Sequence, residues 1–361
     1  MKRDTSSIII EILTTHSVER LFNNVKTKID HYTIDGNVVI STITDSIIKN
    51  NCYVVSFFAL IISYSRVELY KVKNKALILI IRSMIFIFSF ILRVCKVDRI
   101  QILNNIMLST NFLESFWDHV NVRQLRSEAL HKYPDHVLAI RSVNLKQNKN
   151  VIEELAAQGW IPIVTRQVYI FEKVNFNKRD LVRDQKLLIS NRYAFVEPRR
   201  DSMDDYVAAE SLYNQLYLKK YTEENIQYTA LYMRELHTRG ALHLRLLKDN
   251  EKGIFVGVVG IIGNERTLTA PIVGYDLERP VEDALYRRCL IYIITYAHTK
   301  NILLNISSGA SQFKMNRGGL PEIEYTYIYT THLSFGRRLL WRILSFISLR
   351  IYKPILVAKK L

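Results

Sequence analysis

The chain has 361 residues, 48% of them apolar and 23% charged, with 7 prolines and 12 glycines, which excludes an intrinsically disordered or fibrous protein and predicts a sizeable core. Fifty Lys and Arg against 34 Asp and Glu give a net charge of +16, an attraction to polyanions and phosphate-bearing ligands that does not choose among them. Three cysteines, Cys52, Cys95 and Cys289, lie far apart without a C-x-x-C, so a disulfide framework and a zinc site are both unsupported and a reducing, cytoplasmic setting is expected.

In chain order, the basic start breaks its apolar run Ile8–Ile10 at Glu11 and carries no small-residue cleavage site, so no export signal is expected. Residues 1–50 are mixed and β-branched, and 53–95 read as helices. Ala76 to Leu92 is the most hydrophobic stretch. Its central Arg82, and the three-to-four spacing of Leu77, Ile81, Met84, Phe88 and Ile91, predict a helix packed inside a soluble fold rather than a membrane span. Asp98–Leu108 reads as a strand running into the turn Ser109, Thr110, Asn111. A helix near Val120–Leu130, a strand at His136–Ile140, a helix at Val151–Gln158 and a strand at Ile161–Phe171 follow. Asn175–Arg200 reads as a polar passage with a short helix. No Gly/Ser linker and no internal repeat marks a boundary, so charge runs and periodicity divide the chain into an N-terminal α/β region, 1–200, and a second domain, 201–361.

The second region reads more clearly. Helices are expected at Asp204–Lys220 and Thr222–His237, then strands at Ala241–Leu247, Ile254–Ile262 and Thr267–Val273. Glu282–Thr299 is a helix with acids first and His298 and Lys300 last. A short strand at Ile302–Ile306, a short helix at Ser311–Asn316 and a strand at Glu322–Thr331 complete it. Arg337–Leu349 pairs Arg337, Arg338 and Arg342 with Leu340, Trp341, Leu344 and Phe346, a pattern shared by core helices and by helices lying on an anionic bilayer.

The order helix, helix, three antiparallel strands, helix, strand, helix, strand resembles the GNAT superfamily. Leu303–Tyr325, LLNISSGASQFKMNRGGLPEIEY, resembles the branch of Fem-type and cellulose-biosynthesis-associated acyltransferases, with its small-residue turn Ser307, Ser308, Gly309 and its aromatic-Lys pair Phe313, Lys314. The resemblance implies an α+β fold, a mixed sheet flanked by helices. It also implies that residues 98–171 could form a degenerate GNAT-like first half. The activity implied is transfer of an acyl or aminoacyl group to an amine or hydroxyl acceptor, with no permanently bound cofactor. Acyl-CoA, a carrier protein or aminoacyl-tRNA would be the donor, and no metal is called for. One departure stands out: many GNAT enzymes hold the coenzyme A pyrophosphate on a Gly-rich basic turn, whereas Gly274–Asp283 here holds four acids and no second glycine.

Acyl transfer needs a base for the acceptor, donors for the carbonyl oxygen and an acid for the leaving group. Asp276 as base and Tyr275 as acid follow the strand Thr267–Val273, unless they merely form a capped turn. Ser307, Ser308 and Gly309 could bind an oxyanion or phosphate, or form an ordinary helix N-cap. Lys314, as a catalytic cation, and Arg317, as a phosphate ligand, could neutralise a donor, or be solvated charge. Glu324 and Tyr325 could contact substrate from opposite faces of their strand, Tyr325 sharing its face with Tyr327 and Tyr329. The mixed aromatic and basic run Tyr213, Tyr217, Lys219, Lys220, Tyr221, Tyr228 could stack single-stranded nucleic acid or line a helix face. H-E-x-x-H, G-x-S-x-G and Walker motifs are absent, and Gly257, Gly260 and Gly263 fall in a hairpin. A non-catalytic GNAT-like binding module and a basic membrane-surface or RNA-binding protein are the rival readings.

Overall fold

The computed structural model describes residues 4–63 and 75–359, for 63, 75–80 and 359 the backbone alone. Part of the helical reading of 53–95, and Leu77, therefore lie outside the described residues.

Eleven strands form one sheet: β1 Lys28–Ile34, β2 Asn37–Thr44, β3 Ile100–Leu103, β4 Val137–Val143, β5 Ile161–Phe171, β6 Tyr193–Val196, β7 His243–Asp249, β8 Ile254–Gly263, β9 Thr267–Tyr275, β10 Leu303–Asn305 and β11 Leu320–Tyr329. Their order is β1-β2-β3-β4-β11-β5-β10-β9-β8-β7-β6. Strands β7, β8 and β9 are antiparallel neighbours, as the resemblance implies, and the helix Leu285–Lys300 carries the chain across to β10, which pairs parallel to β9. The first half repeats this plan. β2 and β3 are antiparallel, the helix Val122–Lys132 crosses over, and β4 pairs parallel to β3.

The repeat is one of topology, which is why no sequence period reveals it. Each half ends in a strand that crosses to the other: β5 pairs with β10, while β11 lies between β4 and β5. The fold is therefore a mixed sheet flanked by helices, in two halves of like plan, each closed by the other's last strand.

Several elements differ from the sequence expectation. The strand expected over Asp98–Leu108 is confined to β3, because Asn104 turns left-handed and Asn105 and Asn111 tie the following loop to itself. The helix expected over Thr222–His237 is only Ala230–Thr238, capped by the Thr229 hydroxyl, which accepts from the Tyr232 N–H; the preceding residues run beside the N-terminus, where Asn24 bonds Asn225 and Gln227. The helix expected to Lys220 is α-helical over Met203–Asn214 and π-helical over Gln215–Tyr221. The passage 175–200 contains a full helix, Arg179–Leu188, and the edge strand β6. At Leu285–Lys300 the helix starts three residues later than its acids suggested, after the left-handed Ala284.

The largest correction concerns Ala76–Leu92. These residues lie within one helix, Lys75–Val94, but only its inner edge is packed: Leu92 is buried and Ile85 and Phe88 are half-buried, while Met84, Phe86, Ile87, Phe90 and Val94 face solvent. Helical spacing predicted the helix and could not say how much of its apolar circumference the rest of the chain would cover.

Candidate active site

β9 and β10 bond for three residues, Thr267–Thr269 against Leu303–Asn305, and then separate. The sequence dictates the parting. Pro271 has no N–H to offer a neighbour at that point of β9, and β10 swings to β5, where Ile306 N–H donates to Tyr169 O and Tyr169 N–H to Ser307 O, both at 3.1 Å. Ser307, Gly309 and Ala310 then take positive φ, which turns the chain sharply into the helix Ser311–Asn316.

A cavity of about 40 Å³ opens in the resulting V, room for a few waters or one small polar group. Thr269, Pro271 and Ser307 are in its lining, together with Ser109, Thr110, Arg166, Tyr53, Tyr213 and Tyr217. Arg166 donates to Glu324 Oε1 from Nε at 2.7 Å and to Thr110 Oγ1 from Nη2 at 2.9 Å. Arg141 is buried close by, donating to Val54 O and to Asn105 Oδ1, both at 3.1 Å. Arg166 thus lines the cavity, with the Arg141 charge near enough to be felt at Arg166 and Glu324, a setting that suits a developing oxyanion, a carboxylate or a phosphate.

The residues singled out in the sequence divide into groups. Ser307 lines the cavity and Glu324 orients Arg166 from β11. Lys314 lies behind the Ser307 wall, 4% exposed, with Nζ donating to Ile306 O at 2.8 Å, Ser307 O at 3.2 Å and Ser308 O at 2.8 Å. Burial, and then the Arg166 charge, pull its ammonium down to about 7. Lys314 therefore holds the left-handed turn in place and does not reach the cavity mouth. Ser308 and Gly309 are exposed on the outer side of that turn.

The others stand elsewhere. Tyr275 ends β9, accepting from Lys220 Nζ at 3.2 Å, and Asp276 Oδ1 accepts from Glu278 N–H at 3.0 Å, the capped-turn geometry. Arg317 is buried against Asp184 at 2.6 Å, which also pairs with Arg287. Tyr325 belongs to the opposite face of the sheet, its hydroxyl accepting from Lys353 at 2.9 Å. In the acidic turn, Arg279 binds Asp249 at 2.6 Å and Asp283 at 2.9 Å, and Arg192 joins them, so the turn is an ion-pair network rather than a phosphate cradle. Among the described residues no His, Cys, Asp and Glu cluster could hold a metal ion.

Sequence reasoning missed Arg166, Thr110 and Tyr53. Arg166 had a signal: Thr165-Arg166-Gln167 interrupts an otherwise apolar central strand, and a polar break there must be satisfied by something. From the aromatic run, Tyr213 and Tyr217 line the cavity, Tyr213 from within the core, whereas Tyr228 is core alone.

No protein-family model matches this chain, and no curated protein matches it. Among solved structures, the chain is similar to FemX (10% identity, TM-score 0.46, 68% of this chain and 83% of that one). It is also similar to L-PGS from Bacillus licheniformis (13%, 0.43, 65% and 80%) and to a GCN5-related N-acetyltransferase from Kribbella flavida (12%, 0.33, 64% and 80%). Likeness at this level carries no conclusion about the reaction, for which the cleft geometry is the guide.

Proposed function

We infer that the chain is an acyltransferase, moving an acyl or aminoacyl group to an amine or hydroxyl, and that its reacting carbonyl sits where β9 and β10 part. The observation that carries this reading is the V-shaped opening between those strands, with Arg166 and Ser307 both in the lining of its cavity. Arg166 would balance the oxygen charge that grows in the transition state, Glu324 and Thr110 would hold that guanidinium in place, and Lys314 would hold the turn that presents Ser307. Three free cysteines, two of them fully buried, suit a cytoplasmic setting.

The donor is an acyl thioester or an aminoacyl ester. The ion-paired Gly274–Asp283 turn argues against the usual pyrophosphate contact and so favours a carrier protein or aminoacyl-tRNA over free coenzyme A. The same turn, and the narrowness of the cavity, are what the rival reading of a non-catalytic binding module rests on. Titrating acetyl-CoA, long-chain acyl-CoA and aminoacyl-tRNA into wild type and Arg166→Gln separates the two. Wild type should bind one donor class and transfer from it, and the variant, if folded, should turn over about a hundredfold to a thousandfold more slowly. Binding of a ligand without any transfer gives the result to the binding module.

A further inference from the structure

The two helices flanking one face of the sheet, Lys75–Val94 and Phe335–Ile347, bury one side each and leave the other bare. Both contribute to a shared core under β3, β4, β5 and β11, where Leu92, Leu340, Trp341 and Leu344 meet Ile100, Val137, Ile163 and Ile328. Arg337 joins them, donating from Nε to Cys95 O at 3.2 Å. Their outer faces therefore belong to one surface.

That surface is strongly apolar. On the first helix Met84, Phe86, Ile87, Phe90, Ile91 and Val94 are exposed, Phe86 to 73%. On the second, Phe335, Leu339, Ile343 and Ile347 recur every fourth residue, and Ile351 and Ile355 continue the stripe past the helix end. A groove lined by Ile81, Met84, Ile85, Ile87, Phe88 and Ile91 runs along the first helix. Isolated exposed apolar residues are ordinary, but two aligned stripes of this size on one face mark a contact surface.

Charge identifies the occupant. Residues 75–97 hold four Lys and Arg, residues 335–361 hold seven, and neither segment contains an Asp or Glu. A second copy of the chain would bring like charges together, and a neutral apolar partner would leave them unmatched. Among the described residues no helix is long and apolar enough to cross a membrane, and the inner faces of these two are committed to the core. We propose that this face docks in the plane of an anionic lipid bilayer, with the aromatic and aliphatic stripes in the acyl boundary and the Arg and Lys side chains at the headgroups. In-plane helices with an apolar face and a basic border bind anionic interfaces in this manner. The proposal is independent of the transfer reaction.

Flotation of the purified chain with phosphatidylcholine vesicles, with and without phosphatidylglycerol, tests it. Wild type should float with the phosphatidylglycerol vesicles and be released progressively by salt. The double variant Phe90→Glu, Phe346→Glu should bind about a hundredfold more weakly with an unchanged melting temperature, since both side chains are in solvent. In a Phe90→Trp variant the indole emission should shift to the blue on binding and be quenched by brominated lipid. Wild type that stays at the bottom of the gradient with either vesicle overturns the proposal, as does a double variant that floats equally well. Concentration-dependent dimers that the double variant abolishes, without flotation, assign the face to a second copy.

Discussion

Replacing Lys314 with methionine keeps the volume of the side chain and removes an ammonium that burial and the Arg166 charge pull down to about 7. In the unfolded chain that group titrates near 10.5. Between these values the unfolded chain carries a proton that the folded chain has released, so wild-type stability rises with pH across the window, by about 1.4 kcal/mol per unit. From pH 7.5 to 9.5 the wild type should therefore gain about 3 kcal/mol that the variant lacks. The variant also leaves the buried Ile306 carbonyl without its Lys314 donor, costing about 1–3 kcal/mol at any pH, whereas Ser307 O keeps the Tyr169 N–H and Ser308 is exposed to water. The signature is thus an offset plus a slope. Urea unfolding of both proteins at several pH values reads both, and the difference between the two curves cancels every other titrating group. Parallel curves would refute the reasoning, for they would mean that the three acceptors hold the proton against burial.

Asp98 gives the opposite sign. Burial pushes its carboxyl up to about 6 although it accepts from Ser56 Oγ at 2.5 Å and Phe58 N–H at 2.8 Å, so the folded chain keeps a proton that the unfolded chain loses near 3.8, and stability falls as pH rises between them. From pH 4.5 to 6 this amounts to about 2 kcal/mol, which urea midpoints should show in wild type and not in Asp98→Asn. A methyl group on Gly274 would lie 2.4 Å from Leu212 O and 2.5 Å from Tyr213 N in the helix above β9. Gly274→Ala should accordingly cost at least about 1–3 kcal/mol, and an unchanged melting temperature would show that the helix yields freely. Arg166→Gln should lower turnover by about a hundredfold to a thousandfold, measured against melting temperature to separate lost chemistry from lost fold.

What the amino-acid order determined by itself was local. Alternating and three-to-four patterns marked β5, β8, β9 and Leu285–Lys300, and the order of those elements was enough to suggest a mixed sheet flanked by helices. Pairing across long separations decided the rest. The exchange of β5 and β11 between halves is invisible to any window of sequence, because a strand's partner depends on which edge remains open when the chain returns. So does the candidate site: Arg166, Thr110 and Ser307 line one cavity and Glu324 bonds Arg166, from four separate segments. The same cause moved Lys314 and Arg317 out of their expected roles, since a basic residue beside a turn is free for a ligand only if no carbonyl or carboxylate reaches it first, and Ile306 to Ser308 and Asp184 do. The helix Lys75–Val94 was legible as a helix from its spacing. How much of its apolar circumference would meet protein depended on which residues of β3, β4, β5, β11 and the helix Phe335–Ile347 share its core, and that is a fact of packing.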